Sequence, residues 1–408
     1  MTAPSLEDGA VLVSQGRIQA VGPFDELRAH AGSAPVVDLG EVVLLPGLVN
    51  AHCHLDYTHL AGRLAPTKSF PDWIKSILMA KSEWGFSDYS ASWIDGARQL
   101  VESGTTTVGN IESVPEILQD CRSATPLRVY SYLEMTGVRS ARNPSTLLEE
   151  TLQRARCMRS NRGGMGLSPH APYSTTPELL KMTAQKAREE GWRTTTHLAE
   201  SQAEFDMFMY RRGPMFEWLE TQRSMEDCGL GSPVQHLERC GLLGPNHLAV
   251  HVNYLWEGDL LRLAHSGAHV VHCPMSHSYF GHRRFPWQEM RESGITVAVG
   301  TDSLASTRTL RGRLPRLSLL QELRELLAND STLTPFMALE SVTIQGAKAL
   351  GLSGLAGELS PGSWADLIAI PYKGSLESAP QAIVEYADPV MASLIDGEWA
   401  VKPQVLTA

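Results

Sequence analysis

The sequence predicts an α/β chain built around a closed parallel (β/α)8 barrel, with a small β-rich unit contributed by both ends. Three observations predict it. Eight short apolar or β-branched runs recur through the middle of the 408-residue chain, most of them followed by a stretch with helical spacing, and that alternation fits a closed barrel better than a doubly wound sheet. Seven of the eight runs carry a polar, ligand-capable side chain at the carboxyl end, where barrels of this class hold their chemistry. The two chain ends read as isolated strands instead of strand–helix units.

In chain order, GAVLVSQGRIQAVG (9–22) places two alternating runs around a Gly-containing turn, a hairpin signal. The barrel runs follow: VVLLPGLVNAHCH (42–54), GTTTVGNIES (104–113), LRVYSYLEMTG (127–137), GMGLSPH (164–170), RTTTHLAES (193–201), HLAVHVNYL (247–255), HVVHCPMSH (269–277) and ITVAVGTDS (295–303). Between them, TPELLKMTAQKAREEG (176–191) has helical spacing, a Pro near its start and a Gly stop. ADLIAIP (365–371) and MASLIDGEWAV (391–401) return to strand character and can pair with the first strands in one small sheet.

Composition excludes several function classes. With 43% hydrophobic and 20% charged residues the chain is globular. Its net charge of −10 argues against nucleic acid and supplies no polybasic patch for a membrane. No uninterrupted apolar window reaches the ~18 residues of a transmembrane helix. The opening MTAPSLEDGAVLVSQGR carries acidic residues early and no basic segment ahead of an apolar core, so no secretory signal and a cytoplasmic location are expected. Six cysteines, at 53, 121, 157, 228, 240 and 273, form no CxxC pair, which is the usage of a reducing compartment.

The strand ends carry the chemistry. His52 and His54 sit two apart on one strand, so both imidazoles share a face. With His197 and Asp302 at other strand ends they make three imidazoles and a carboxylate, a set that suits zinc, with iron, manganese or nickel as alternatives. The fourth run ends without a Lys, so one metal is expected instead of two bridged by a carboxylated lysine. Glu200 lies three residues past His197, off the strand and on the turn over the metal, where a carboxylate can take a proton from an activated water and return it to substrate. His251 is either a further ligand or the base that holds the water. His170, beside Pro169 and near Pro172, reads as a substrate contact or a core histidine. Trp73 reads as a cover for a planar substrate or as packing, and Glu134 as a ligand, a contact or a structural acid.

LPGLVNAHCHLD (45–56), THLAES (196–201), HVNYL (251–255), HCPMSH (272–277), VGTDS (299–303) and GELSPGSWADL (357–367) together resemble the amidohydrolase superfamily. Within it they are similar to the mononuclear branch of adenosine-type, cytosine and S-adenosylhomocysteine deaminases and triazine hydrolases. The resemblance implies that His52, His54, His197 and Asp302 hold one divalent metal, that Glu200 shuttles protons, that His251 orients the attacking water and that His170 contacts the purine. It also implies a small β-sandwich from residues 1–42 plus 356–408 and a catalytic barrel over 43–355. The segment NAHCHLDYTHL followed by FPDWIKSIL resembles the aminodeoxyfutalosine deaminases more than the larger S-adenosylhomocysteine enzymes. Two departures stand out. His277 replaces the Asn of the usual CPxSN, and the N-terminus starts late, which leaves open whether the sandwich has its usual first strand.

The expected activity is hydrolytic deamination of an aminated purine, a 5′-substituted adenosine such as aminodeoxyfutalosine, S-adenosylhomocysteine or methylthioadenosine. The alternatives are triazine, pterin or guanine amino- or chlorohydrolysis in the same site, and a non-catalytic metabolite-binding paralogue. The expected partner is a small heterocycle, with a homodimer allowed and neither nucleic acid nor membrane.

Overall fold

In a computed structural model the described residues are 5–403 except 66, 68, 139–141, 159–161, 310, 311 and 313. The outermost residues of the expected terminal unit, 1–4 and 404–408, lie outside them. The chain opens with an antiparallel hairpin of β1 (Gly9–Ser14) and β2 (Arg17–Pro23). Its turn residues Gln15 and Gly16 both have positive φ, 51° and 69°, the twist that a two-residue hairpin loop prefers. After β3 (Val42–Pro46) come the barrel strands β4 (Leu48–Cys53), β5 (Thr105–Glu112), β6 (Arg128–Met135), β7 (Gly163–Pro169), β8 (Thr194–Leu198), β9 (His247–His251), β10 (His269–His272) and β11 (Val297–Val299). They lie side by side in chain order, every pair parallel. β12 (Leu367–Pro371), β13 (Ala392–Ile395) and β14 (Glu398–Val401) complete a four-stranded antiparallel sheet of order β14–β13–β12–β3. Both ends of the chain therefore build the small β unit, and Ile18 of the hairpin packs on Ala365, Leu367 and Leu394 of that sheet.

The run 42–54, expected as one strand, is two. Gly47 breaks it: a Cβ there would lie 2.2 Å from the Thr106 side chain, so only glycine lets the chain pass from the small sheet into the barrel at this point. β3 thus lies in the small sheet, on the barrel side of the boundary expected at 42/43. The predicted helix at 176–191 spans Pro177–Glu190, with the Thr176 side chain accepting from the Leu179 amide and Gly191 closing it at φ 73°. Its buried Leu179, Leu180, Thr183, Ala184 and Ala187 recur at helical spacing. Burying each leucine contributes roughly 1.5–3 kcal/mol.

The barrel closes where the chemistry sits. β4 meets the end of β11 through a parallel bridge between Cys53 and Asp302, with the His54 amide donating to the Asp302 carbonyl (3.1 Å) and the Asp302 amide to the His52 carbonyl (3.2 Å). Gly300 permits this approach, since a Cβ on it would lie 2.6 Å from the His52 carbonyl oxygen. Among the described residues no helix is long and apolar enough to cross a membrane.

Candidate active site

Alternation at the end of β4 sends Cys53 into the core behind the sheet and His52 and His54 to the opposite face. Both imidazoles are buried. His197, the fourth residue of β8, has Nδ1 2.9 Å from the His170 carbonyl oxygen. A carbonyl only accepts, so Nδ1 carries the proton and Nε2 offers its lone pair inward. That Nε2 lies 3.1 Å from Nε2 of His54. Nε2 of His52 and of His54 each lie 3.7 Å from Asp302 Oδ1, too far for a hydrogen bond. The Asp302 side chain is turned by Ser306, whose hydroxyl donates to Oδ2 at 3.1 Å.

Ligand atoms of His52, His54, His197 and Asp302 all lie within 4.8 Å of one another. His52 Nε2 is buried without a hydrogen-bond partner among the described residues. Burial pushes the His54 and His197 imidazoles well below their ordinary pKa, which keeps them in the neutral form a metal binds. Burial would raise the Asp302 carboxyl, but the histidines 52, 251 and 54 around it outweigh that and hold it well below the usual carboxylate range. Inward nitrogen lone pairs and an ionised carboxylate, withheld from other partners, fit one divalent cation.

Glu200 lies just past β8, with Oε1 3.5 Å from His251 Nε2 at the end of β9. Burial, reinforced by Asp302 and Glu204, pushes its carboxyl well above the ordinary value. Burial lowers His251 to about 3. A carboxyl whose proton affinity is raised by burial, beside a neutral imidazole, can serve as an acid–base pair. Glu200 and His251 gather around Asp302 within the same 4.8 Å limit, so the acid–base pair adjoins the ligand set. The backbone is strained here: Ala199, His251, Val252 and Asp302 have φ of 49°, 73°, 52° and 49°. Left-handed backbone at non-glycine residues costs roughly 1–2 kcal/mol each, most of all for β-branched Val252, and it re-aims side chains that a straight strand would point elsewhere.

The other sequence-predicted residues fall around this centre. His170 is tied to Ser174, Nδ1 to Oγ at 2.6 Å, and its Nε2 is 3.9 Å from Glu134 Oε1. Its ring centroid is 4.8 Å from that of His197. Trp73, on the helix Phe70–Ala80, donates its indole N–H to the Ala305 carbonyl at 3.1 Å and packs edge-on to Phe280. His272 ends β10 away from the four-ligand group, stacked on Phe285 at 3.9 Å. His277 lies on the helix Pro274–Phe280, its Nδ1 3.0 Å from Asn253 Oδ1.

Sequence reasoning missed three residues here. Tyr57 stacks on His54 at 5.0 Å and carries the Lys81 ammonium 3.7 Å above its ring. Glu204 accepts from the Ala199 and Glu200 amides, and Asn253 donates to the Glu200 carbonyl. The spacing Ser201-x-x-Glu204 of a capping box was the signal for Glu204. No local signal marks Asn253 or Tyr57.

The family model described as "Amidohydrolase family" matches residues 43–399, and an imidazolonepropionase-like composite domain model matches residues 9–32. The chain is 30% identical over 375 residues to a protein of Symbiobacterium thermophilum named 5-methylthioadenosine/S-adenosylhomocysteine deaminase, covering 89% of this chain and 80% of that one. Its fold is that of Helicobacter pylori aminofutalosine deaminase in complex with methylthio-coformycin, at a TM-score of 0.85 and 23% identity, covering 97% and 95% of the two chains. A zinc-bound adenosine deaminase from Xanthomonas campestris gives a TM-score of 0.82 at 24% identity, covering 97% and 88%.

Proposed function

The chain belongs to the amidohydrolase family, and from that premise we propose that it is a metal-dependent hydrolase that deaminates an aminated purine, a 5′-substituted adenosine such as methylthioadenosine, S-adenosylhomocysteine or aminodeoxyfutalosine. The observation that carries this reading is the convergence of His52, His54, His197 and Asp302 with the Glu200–His251 pair beside them. The curated relative's name and the deaminases that share the fold support the same chemistry.

His52, His54, His197 and Asp302 would hold the cation, which we take to be zinc. A divalent ion held there would supply an activated water, with a pKa lowered from 15.7 toward ~7. Glu200 takes the water's proton on its carboxylate and delivers it to the ring nitrogen next to the amine-bearing carbon. His251, 3.5 Å from that carboxylate, keeps water and shuttle in register. The water oxygen bonds to the amine-bearing carbon as that ring nitrogen is protonated, and the carbon–amine bond then breaks, with the second water proton passing to the departing nitrogen. One water is consumed, one ammonia leaves, and a carbonyl replaces the amine. His170 and Trp73 contact the ring, His170 by a hydrogen bond to a ring nitrogen and Trp73 by covering its face. The six free cysteines support a cytoplasmic location, and a homodimer is the assembly to test.

The experiment is an ammonia-release screen over adenosine, methylthioadenosine, S-adenosylhomocysteine, aminodeoxyfutalosine, guanine, pterins and triazines. Turnover of a 5′-substituted adenosine is expected. Turnover of a triazine or pterin with no adenine compound accepted would overturn the substrate class and leave the metal and shuttle assignments standing.

A further inference from the structure

The peptide of Glu200 is gripped on both sides. Its N–H donates to Glu204 Oε2 at 2.8 Å, and the preceding N–H, of Ala199, donates to Glu204 Oε1 at 3.0 Å. Its carbonyl accepts from Asn253 Nδ2 at 2.9 Å. Glu204 is fully buried and Asn253 nearly so. The positive φ of Ala199 turns two successive amides to the same side, a concavity that an anionic oxygen pair fills. A capping-box glutamate ordinarily reaches the amide of its own cap residue. Here the cap is Ser201, whose hydroxyl accepts from the Glu204 amide at 3.1 Å, and the Glu204 carboxylate also takes two amides upstream of the cap, one of them that of Glu200 itself.

Asn253 is oriented in turn. The Glu200 carbonyl can only accept, so the amide NH2 of Asn253 faces it and Oδ1 faces away. Oδ1 meets His277 Nδ1 at 3.0 Å, and Nδ1 must therefore carry a proton. The backbone reinforces the tie, with the Asn253 and Tyr254 amides both donating to the Ala199 carbonyl, at 3.0 and 3.1 Å. His277 stands where CPxSN has its Asn, so a donor is retained at this position although the residue type has changed.

We infer that Glu204, Asn253 and His277 are positioning residues that clamp the Glu200 peptide from both faces and so aim its carboxylate. The inference rests on the reading of Glu200 as the proton shuttle. A shuttle must visit two atoms in sequence, the water and the ring nitrogen, and its reach is set by where its backbone is held. Catalytic constellations need placement to within about 0.5 Å, which a turn with a freely rotating peptide does not supply.

The test uses full-length metal-loaded enzyme, ammonia release from 5′-methylthioadenosine and S-adenosylhomocysteine, and elemental analysis. Asn253→Ala and His277→Ala should lower kcat by about 10–100-fold, the effect of one lost buried hydrogen bond. KM should stay within about 3-fold and metal at about one ion per chain. His277→Asn, which restores a donor, should recover most of the loss. In a Glu200→Gln background, Asn253→Ala should add less than about 3-fold, because residues acting through one group are non-additive. Losses that multiply in the double variant, or wild-type kcat in Asn253→Ala, would overturn the clamp while an inactive Glu200→Gln leaves the shuttle standing. An active Glu200→Gln overturns the shuttle itself. A crystal structure of Asn253→Ala decides the matter without turnover: the Glu200 carboxylate should have left its place beside His251, and an unmoved carboxylate overturns the clamp.

Discussion

At the amino ends of the barrel strands Arg128, which opens β6, is buried and its charge is paired. Its Nε donates to Asp366 Oδ2 at 2.7 Å, and its Nη2 to Asp366 Oδ1 at 3.2 Å and Asp396 Oδ1 at 2.7 Å. Its guanidinium carbon lies 4.0 Å from the Trp364 ring centroid. Burial alone would lower the Arg128 pKa, but the hydrogen bonds and charge of Asp366 and Asp396 raise it. At the carboxyl ends of the same strands the opposite holds. His52 Nε2, His54 Nδ1 and His251 Nε2 are buried without hydrogen-bond partners among the described residues, and two imidazole nitrogens face each other at 3.1 Å. Both ends bury polar groups, and desolvation is costly at both. The Arg128 cluster is satisfied within the chain and joins the barrel to the small sheet, although Thr105 Oγ1, Thr106 Oγ1 and His247 Nε2 at the same ends are buried without hydrogen-bond partners among the described residues. The histidine cluster is left unsatisfied on strained backbone, with donor atoms free for what it binds. Between Arg128 and the histidine cluster the difference lies in satisfaction of the buried groups, since both are buried.

The largest effect that would sharpen this contrast is the loss of a ligand. Asp302→Ala should lose nearly all bound metal by elemental analysis. It should also lose more activity than the ~10²–10⁴-fold that acid–base catalysis alone supplies. Its urea unfolding free energy should match that of chelated wild type within about 1 kcal/mol, because no scaffold pair is broken. Full metal occupancy would break the assignment, and an unfolded protein would break the contrast. Next comes Glu200→Gln, expected to keep its metal and lose ~10²–10⁴-fold in kcat. A metal-free or fully active Gln variant would contradict the separation of ligands from shuttle.

At the other end, Arg128→Met should leave Asp366 buried without its counter-charge. Removing one partner of a buried pair costs about 3–5 kcal/mol, read as a fall in urea unfolding free energy. Metal content and kcat at low temperature should not change. A variant that keeps its stability but loses activity would show that the amino end is coupled to the chemistry and is more than scaffold.

The contrast also explains what could be read from the sequence. The eight strands and the clustering of His52, His54, His197 and Asp302 were legible because period-two alternation and strand-end placement are local patterns, as with His52 and His54. The break at Gly47 was not, since VVLLPGLVN is one apolar run and only the approach of Thr106 divides it. The Ser201–Glu204 spacing was legible, but the reach of Glu204 to the upstream amides and the Asn253–His277 link go with left-handed turns at Ala199, His251 and Val252, which no propensity of Ala, His or Val announces. The distinction between His272, stacked on Phe285, and His197, at the centre, rests on packing that spacing alone does not carry.

His170→Ala probes the rim of the site. It should lower kcat/KM by roughly 10–10³-fold, the range for one or two lost polar contacts. Metal content should be unchanged for a specific reason: His170 supports His197 through its backbone carbonyl, which accepts from both the amide and Nδ1 of His197, and an alanine keeps that carbonyl. Metal loss in this variant would mean that the side chain, too, belongs to the ligand shell.

The smallest expected effects separate two roles for Trp73. Its indole N–H holds the Ala305 carbonyl, in the turn Leu304–Ser306 that also supplies the Ser306 hydroxyl to Asp302. Its ring is the part proposed to cover the substrate. Trp73→Phe removes the donor and keeps an aromatic face, so it should cost about 1 kcal/mol of stability, the worth of one hydrogen bond, with KM unchanged. Trp73→Leu removes the face as well, and should raise KM by about 2–10-fold, since an aromatic pairing contributes ~0.5–1.5 kcal/mol beyond its buried area. If Trp73→Leu loses stability while KM stays at the wild-type value, Trp73 anchors the turn that carries Asp302 and takes no part in binding. It would then belong with Arg128 among the satisfied scaffold groups, despite lying at the carboxyl end.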